Sequence, residues 1–279
     1  MLFTENSISK FKAHYPGAPV LLRHSLNDHP LFEIERLTKL AAVLPPHCVE
    51  YNAGDLPVSQ DPAMTPMNGL SAEETVRRIA ENNSWMVLKQ IEQDGDYADL
   101  LNSCLGDIEP AARTATGQMH QREGFIFVSS PGAVTPFHMD PEHNILLQLR
   151  GRKAFRIYPN DAEEIVSHEQ HEAFYKPGGH RNLSHKDEFE RHARLVELGP
   201  GDALYVPVKS PHWVKNADEV SVSLSITWRS RASDNEARLR RANGWIRRRG
   251  GRPPAPGAAP IRDRCVIFGR HMAERLGRE

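Results

Sequence analysis

Through residue 120 the apolar positions recur mainly at helical spacing. Leu31, Ile34, Leu37, Leu40 and Ala41 fall on one face of a helix after Asp28. Pro45 and Pro46 must end it, because proline has no amide hydrogen and its ring clashes with the preceding turn. Ser71 followed three residues later by Glu74 is a capping box, which predicts a second helix carrying Val76, Ile79 and Ala80. Trp85 to Leu88 reads as a strand. After a turn at Asp94 and Gly95, the residues Tyr97, Leu100, Leu101, Cys104 and Leu105 share another helical face. All of these positions are expected in the core rather than against a ligand.

From Phe125 the pattern changes to short β-prone runs at 125–129, 143–149, 153–158, 194–198, 203–206, 212–216 and 220–228, which predict a sandwich or barrel. The polar, His-rich stretch from Ser167 to Arg194 is too long for a hairpin loop and is expected to act as a lid. In the last run Val222, Leu224, Ile226 and Trp228 alternate with Ser221, Ser223, Ser225 and Thr227, so one face meets the core. Ser233 or Asp234 is expected to cap a helix running to about Arg249. GGRPPAPGAAP then reads as a linker, with a final helix over 261–276. The chain thus divides into residues 1–120, a helical and strand segment packing on the core; 121–230, the β core; and 231–279, Arg-rich C-terminal helices.

Composition narrows the class. With 39% hydrophobic and 25% charged residues the chain suits a globular fold, and no apolar run approaches the ~20 residues needed to span a bilayer. The opening MLFTENSISKF lacks a basic segment followed by a long apolar one, so a cytoplasmic location is expected. Cys48, Cys104 and Cys265 are too scattered for a disulfide framework or a thiolate metal site. The near-zero net charge hides an asymmetry. Residues 229–279 hold 14 Arg, no Lys and five acids, a net +9, against 21 basic and 31 acidic residues before them, a net −10. Such a tail suits a solvated or intersubunit face, and with no helix-turn-helix beside it nucleic-acid binding is not expected.

The chemistry is concentrated in TPFHMDPEHNILLQLRGRKAFRIYP, residues 135–159, where His138 and Asp140 stand two apart beside a strand and so project to one side. Among 14 histidines such a pair also arises as an ordinary turn with a capping Asp. A second segment, GDALYVPVKSPHWVKN, brings His212 to the end of another strand, after a Gly-Asp turn and an apolar run. Two imidazoles and one carboxylate make the facial triad of non-haem iron sites. Such a triad leaves three positions free, two for a chelating 2-oxo acid and one for O2. His143, His168, His171, His180 and His185 lack ligand spacing and are expected at the surface, with His143 turned away from the metal.

Taken together these residues resemble the JmjC branch of the cupins, in particular the asparaginyl hydroxylase that acts on hypoxia-inducible factor. The resemblance spans residues 85–228 and, more loosely, the C-terminal helices. It implies a mainly β fold with flanking helices around a double-stranded β-helix, or jelly-roll, core. It also implies Fe(II) held by His138, Asp140 and His212, with 2-oxoglutarate as co-substrate. Thr135, three residues before His138, and Lys153, thirteen after Asp140, fall where the family holds the distal carboxylate of 2-oxoglutarate, and Asn144 matches a further family position. The Leu204-Tyr205-Val206-Pro207 lead into His212 and the position of Trp228 match as well. Lys153 is otherwise awkward among Ala154, Phe155 and Ile157, since a buried cation needs an anionic partner. Histone demethylases of this branch usually carry Glu where Asp140 stands, which points to hydroxylation of a protein side chain or a small metabolite. One position departs: the hydroxylase has Asn where this chain has Ile226, so a polar contact near the iron is expected to be missing. The resemblance further implies a homodimer through the C-terminal helices, with Trp245 and Ile246 as candidate contacts. The reading from another class is a non-catalytic cupin that senses a metal or small ligand and regulates transcription.

Overall fold

The computed structural model describes residues 1–276. In chain order its elements are α1 (Glu5–His14), β1 (Val20–Arg23), α2 (Ile34–Val43), β2 (Val49–Ala53), α3 (Ala72–Arg77), β3 (Ser84–Lys89) and α4 (Gly95–Thr116). There follow β4 (His120–Ser129), β5 (Val134–His138), β6 (His143–Arg150), β7 (Lys153–Ile157), α5 (His168–Phe174), β8 (Arg194–Leu198), β9 (Asp202–Val206), β10 (His212–Asn216) and β11 (Ser221–Arg229). Helices α6 (Arg231–Arg247) and α7 (Pro260–Arg275) complete the described chain.

The strands form two antiparallel sheets of a jelly roll. The larger runs β1-β9-β6-β11-β4-β3-β2 and the smaller β5-β10-β7-β8. The outer face of the large sheet is covered by α1, α2 and α4, and their apolar stripes meet it in one cluster that includes Leu37, Leu40, Leu101 and Leu105 with Ile126, Leu147, Leu224 and Trp228. A second, small cluster of Leu146, Phe155, Ile157, Val196, Leu198, Leu204, Val206 and Val214 joins the two sheets. It fills only part of the gap between them, and the remainder is a cavity.

Several local expectations find their residues. The Ser71–Glu74 capping box is made in both directions, and Gly95–Thr116 forms the long helix. The segments 194–198 and 212–216 are strands at those bounds. Others need correction. Strands β1, β2 and β5 were not legible, because β5 contains Pro136; proline cannot donate to a ladder and is tolerated here because β5 is a sheet edge. Ser230, not Ser233 or Asp234, caps α6, with Ser233 as the reciprocal partner. The 167–194 segment is not plain loop: it holds α5 and packs Phe189 with Ile165 and Val166 over Phe137 and Met139. The Arg-rich tail is only partly a free surface. Arg229, Arg238, Arg240, Arg247 and Arg262 pair with carboxylates within the chain, and Arg247 ties α6 to Glu169 and Glu172 of α5.

Candidate active site

The cavity between the sheets has a volume of about 570 Å³ and is open on one side. His138 ends β5 and Asp140 follows it, so both face inward while the alternate residues Phe137 and Met139 pack with Ile165, Val166 and Phe189. His212 opens β10 directly opposite His138. Three metal-ligating atoms from His138, Asp140 and His212 lie within 4.8 Å of one another, the one such cluster among the described residues. Asp140 Oδ2 sits 3.9 Å from His138 Nε2 and 3.8 Å from His212 Nε2.

The backbone sets which ring atom faces inward. His138 Nδ1 is 2.7 Å from the Pro136 carbonyl and His212 Nδ1 is 2.9 Å from the Ser210 carbonyl. A carbonyl only accepts, so each Nδ1 carries the proton and donates, leaving each Nε2 lone pair free for a metal. Burial, with the neighbouring His138, pushes His212 down to about 3, so its ring is neutral and competent to ligate. Burial would raise the Asp140 carboxyl, but Arg181 above all, with His138 and His212, outweighs it and holds the group well below the usual carboxylate range. Two imidazoles with their Nε2 atoms turned inward and an ionised carboxylate, with open space beside them, fit a divalent first-row metal with free positions.

Lys153 lies further along the same cavity. In the β7–β10 pairing His212 stands opposite Ile157, Val214 opposite Phe155 and Asn216 opposite Lys153, so Lys153 is four strand positions, about 13 Å of backbone, from the triad end. Between them Phe155 stacks on His212 with ring centroids 4.8 Å apart. Lys153 is 7% exposed and has no carboxylate within ion-pairing distance among the described residues. Burial pushes its ammonium down to about 7. The other basic residues of this hairpin, Arg150, Arg152 and Arg156, stay in contact with solvent.

Two neutral donors line the space between. Trp85 Nε1 donates to Thr135 Oγ1 at 3.2 Å, which occupies an acceptor site of that hydroxyl. Ser225 Oγ donates to Asn144 Oδ1 at 2.7 Å, and both residues line the cavity. The residues singled out in the sequence, Thr135, His138, Asp140, Asn144, Lys153 and His212, therefore all line one cavity. Arg181, Trp85 and Ser225 were missed; only the folded chain brings them to residues 41, 50 and 81 positions away.

Two expectations fail. Ile226 does not face this cavity: it is fully buried in the cluster between the large sheet and the helices, and its neighbours Ser225 and Thr227 line the site instead. Trp228 shares that outer face. The alternation of a strand forces this, since residues two apart share a side. The extra histidines are not all at the surface either. His143 and His171 are 2% and 3% exposed; His143 does face away from the triad, bonding Tyr205 and Ser230, and His185 bonds Tyr158.

Residues 13–234 match the Cupin-like domain family, so the chain belongs to that family. Among curated proteins, 103 residues are 35% identical to lysine-specific demethylase 8 of Danio rerio, covering 35% of this chain and 25% of that one. Another 32% identity over 113 residues relates it to lysine-specific demethylase JMJ30 of Arabidopsis thaliana, covering 38% and 26%. The matched stretch thus spans about a quarter of these relatives. A structure of YcfD, a ribosomal oxygenase from Escherichia coli, in complex with cobalt and 2-oxoglutarate aligns over 97% of this chain and 67% of that one, with a TM-score of 0.53 at 17% identity. At that identity the likeness concerns the fold.

Proposed function

We propose that this Cupin-like domain protein is an Fe(II)- and 2-oxoglutarate-dependent oxygenase that hydroxylates a protein side chain or a small metabolite. His138, Asp140 and His212 would hold the iron. Lys153 and Thr135 would hold the distal carboxylate of 2-oxoglutarate, and Asn144 would contact its body. Iron with 2-oxoglutarate supplies the activation of O2 and the oxidising power, while the chain supplies position, charge and exclusion of water. One observation carries the reading: a buried lysine with no carboxylate partner among the described residues shares a cavity with the His-Asp-His cluster. A cation taken out of water is costly unless an anion meets it, and a dicarboxylate reaching from the triad toward Lys153 provides that anion.

The remaining residues act on that ligand. Trp85 fills one acceptor site of the Thr135 hydroxyl, leaving its hydrogen free to donate to the carboxylate. Asn144, its carbonyl oxygen engaged by Ser225, would offer an amide N–H to the same ligand. Phe155, Leu146 and Val214 line the site with hydrocarbon, so these few polar contacts act in a low dielectric. The similarity to two lysine-specific demethylases supports an oxygenase acting on protein.

The test is anaerobic binding of Fe(II) and 2-oxoglutarate to the purified protein, then admission of O2 with measurement of succinate and a search for products heavier by one oxygen atom. Stoichiometric binding with succinate formation is expected. Binding without O2 consumption would return the protein to the class of non-catalytic sensors. Two accompanying expectations belong to the same reading. Free cysteines, two of them buried, suit a reducing compartment such as the cytoplasm. Along α7, Ile261, Cys265, Phe268, Met272 and Leu276 are exposed at helical spacing and Trp245 of α6 is half-exposed, a stripe suited to pairing with a second copy. Light scattering of the full chain and of its Phe268→Glu variant tests it, with a dimer converted to monomer as the expected result.

A further inference from the structure

The two oxygens of Asp140 have different surroundings. Oδ2 faces His138 Nε2 and His212 Nε2, whereas Oδ1 is taken by Arg181 Nη1 at 2.6 Å. Arg181 is itself held from behind. Its Nη1 lies 3.4 Å from Glu142 Oε2, and Glu142 Oε1 is fixed at 2.9 Å by Arg229 of β11. The lid backbone at this point is sewn to β5: Met139 N–H donates to the Arg181 carbonyl at 3.1 Å and Leu183 N–H to the Phe137 carbonyl at 2.8 Å. A side chain that is about half-exposed is therefore delivered to Asp140 by a fixed stretch of main chain.

A carboxylate free on both oxygens can occupy two positions of a metal, and one whose second oxygen is engaged in a charge-assisted bond can occupy only one. With two positions taken by Asp140, a bidentate 2-oxo acid would have to fill every position that remains or displace a carboxylate oxygen, which weakens it. We propose that Arg181 is a positioning residue that restricts Asp140 to Oδ2, so that the metal keeps the position the co-substrate needs. This rests on the reading of His138, Asp140 and His212 as the metal site. It has a consequence that a merely supporting role lacks. Partners behind a metal ligand usually raise metal affinity, and their loss weakens it by about 10–100-fold. Arg181 is a cation beside a site for a cation, and it withholds one oxygen from the metal. Its removal should leave metal affinity intact or raise it, while weakening 2-oxoglutarate.

The experiment uses Co(II), whose visible absorption is stronger at lower coordination number, with the full chain, Arg181→Met, Arg181→Lys and Asp140→Ala. Co(II) is titrated first, followed by 2-oxoglutarate into the loaded proteins, with both read from the visible spectrum. Arg181→Met is expected to bind Co(II) at least as tightly as wild type, to differ from it in the cobalt spectrum, and to lose about tenfold or more in 2-oxoglutarate affinity. Arg181→Lys, which retains one donor for Oδ1, is expected to recover most of that loss. Loss of Co(II) and 2-oxoglutarate affinity together in Arg181→Met would make Arg181 an ordinary support and overturn the proposal. Unchanged affinities and spectrum would overturn it too. If wild type and Asp140→Ala bind Co(II) alike, the metal-site reading itself falls, a result distinct from any effect of Arg181. The Arg181→Lys protein keeps the comparison usable should Arg181→Met fold poorly.

Discussion

The two faces of β11 are both buried and differ in almost everything else. Val222, Leu224, Ile226 and Trp228 are buried in one cluster with the helical layer. Ser221, Ser223, Ser225 and Thr227, at 5% exposure or less, face the other sheet, where Ser225 and Thr227 line a cavity. One face is filled with hydrocarbon and holds the molecule together. The other carries short hydroxylated side chains that leave room for a ligand and find hydrogen bonds within the sheet, as Ser223 does with Gln148 and Ser225 with Asn144. Burial by itself therefore does not separate stability from function here; the size and polarity of what is buried do.

That contrast can be broken by substitution. The largest effect is expected from His212→Ala, which should abolish metal binding and turnover with little loss of stability. Leu224→Ala on the outer face should cost about 2–5 kcal/mol of stability and leave metal stoichiometry unchanged. Denaturant melts paired with Co(II) titration read both, and a His212→Ala protein that still turned over would end the site assignment.

Lys153→Met should raise the 2-oxoglutarate requirement by roughly 10–100-fold, the equivalent of a charge-assisted bond worth about 1.5–3 kcal/mol. Because burial brings the ammonium down to about 7, the ligand must recruit a proton above that pH. Wild-type affinity should then fall about tenfold per pH unit above 7, while Lys153→Met stays flat. The stability of the ligand-free protein should move the other way. The unfolded chain keeps this proton up to about pH 10.4 and the native chain releases it near 7, so between those values stability rises with pH. Binding isotherms and melts across the range check both signs.

Ile226→Asn would restore the residue that the resembling hydroxylase carries. It is expected to destabilise by about 1–3 kcal/mol, from an amide buried in the outer cluster, with unchanged 2-oxoglutarate affinity. A change in affinity without loss of stability would place the side chain on the inner face. The smallest effect belongs to Trp85→Phe, which removes the bond that orients Thr135; a rise of up to about tenfold in the dissociation constant for 2-oxoglutarate is expected by calorimetry.

Much of this was legible along the chain. The triad residues and Lys153 stand at spacings that a strand turns into shared sides, and the capping box at Ser71 and the alternation in β11 mark their elements locally. What was not legible has a common cause. Strand β5 is interrupted by Pro136 and holds its place through its partners. The direction of Ile226 depends on which face of β11 meets the helices, and both faces are buried.

The sequence by itself determined which residues could ligate a metal and which stretch would carry them, because side-chain chemistry and the two-residue period of a strand are local. Only the tertiary structure decided that β5 and β10 pair so that His138 faces His212, that Lys153 is buried with no ion-pairing carboxylate among the described residues, and that Arg181 from the 167–194 segment takes one oxygen of Asp140. Those facts depend on contacts between residues far apart in the chain, where register and burial, rather than composition, set the distances.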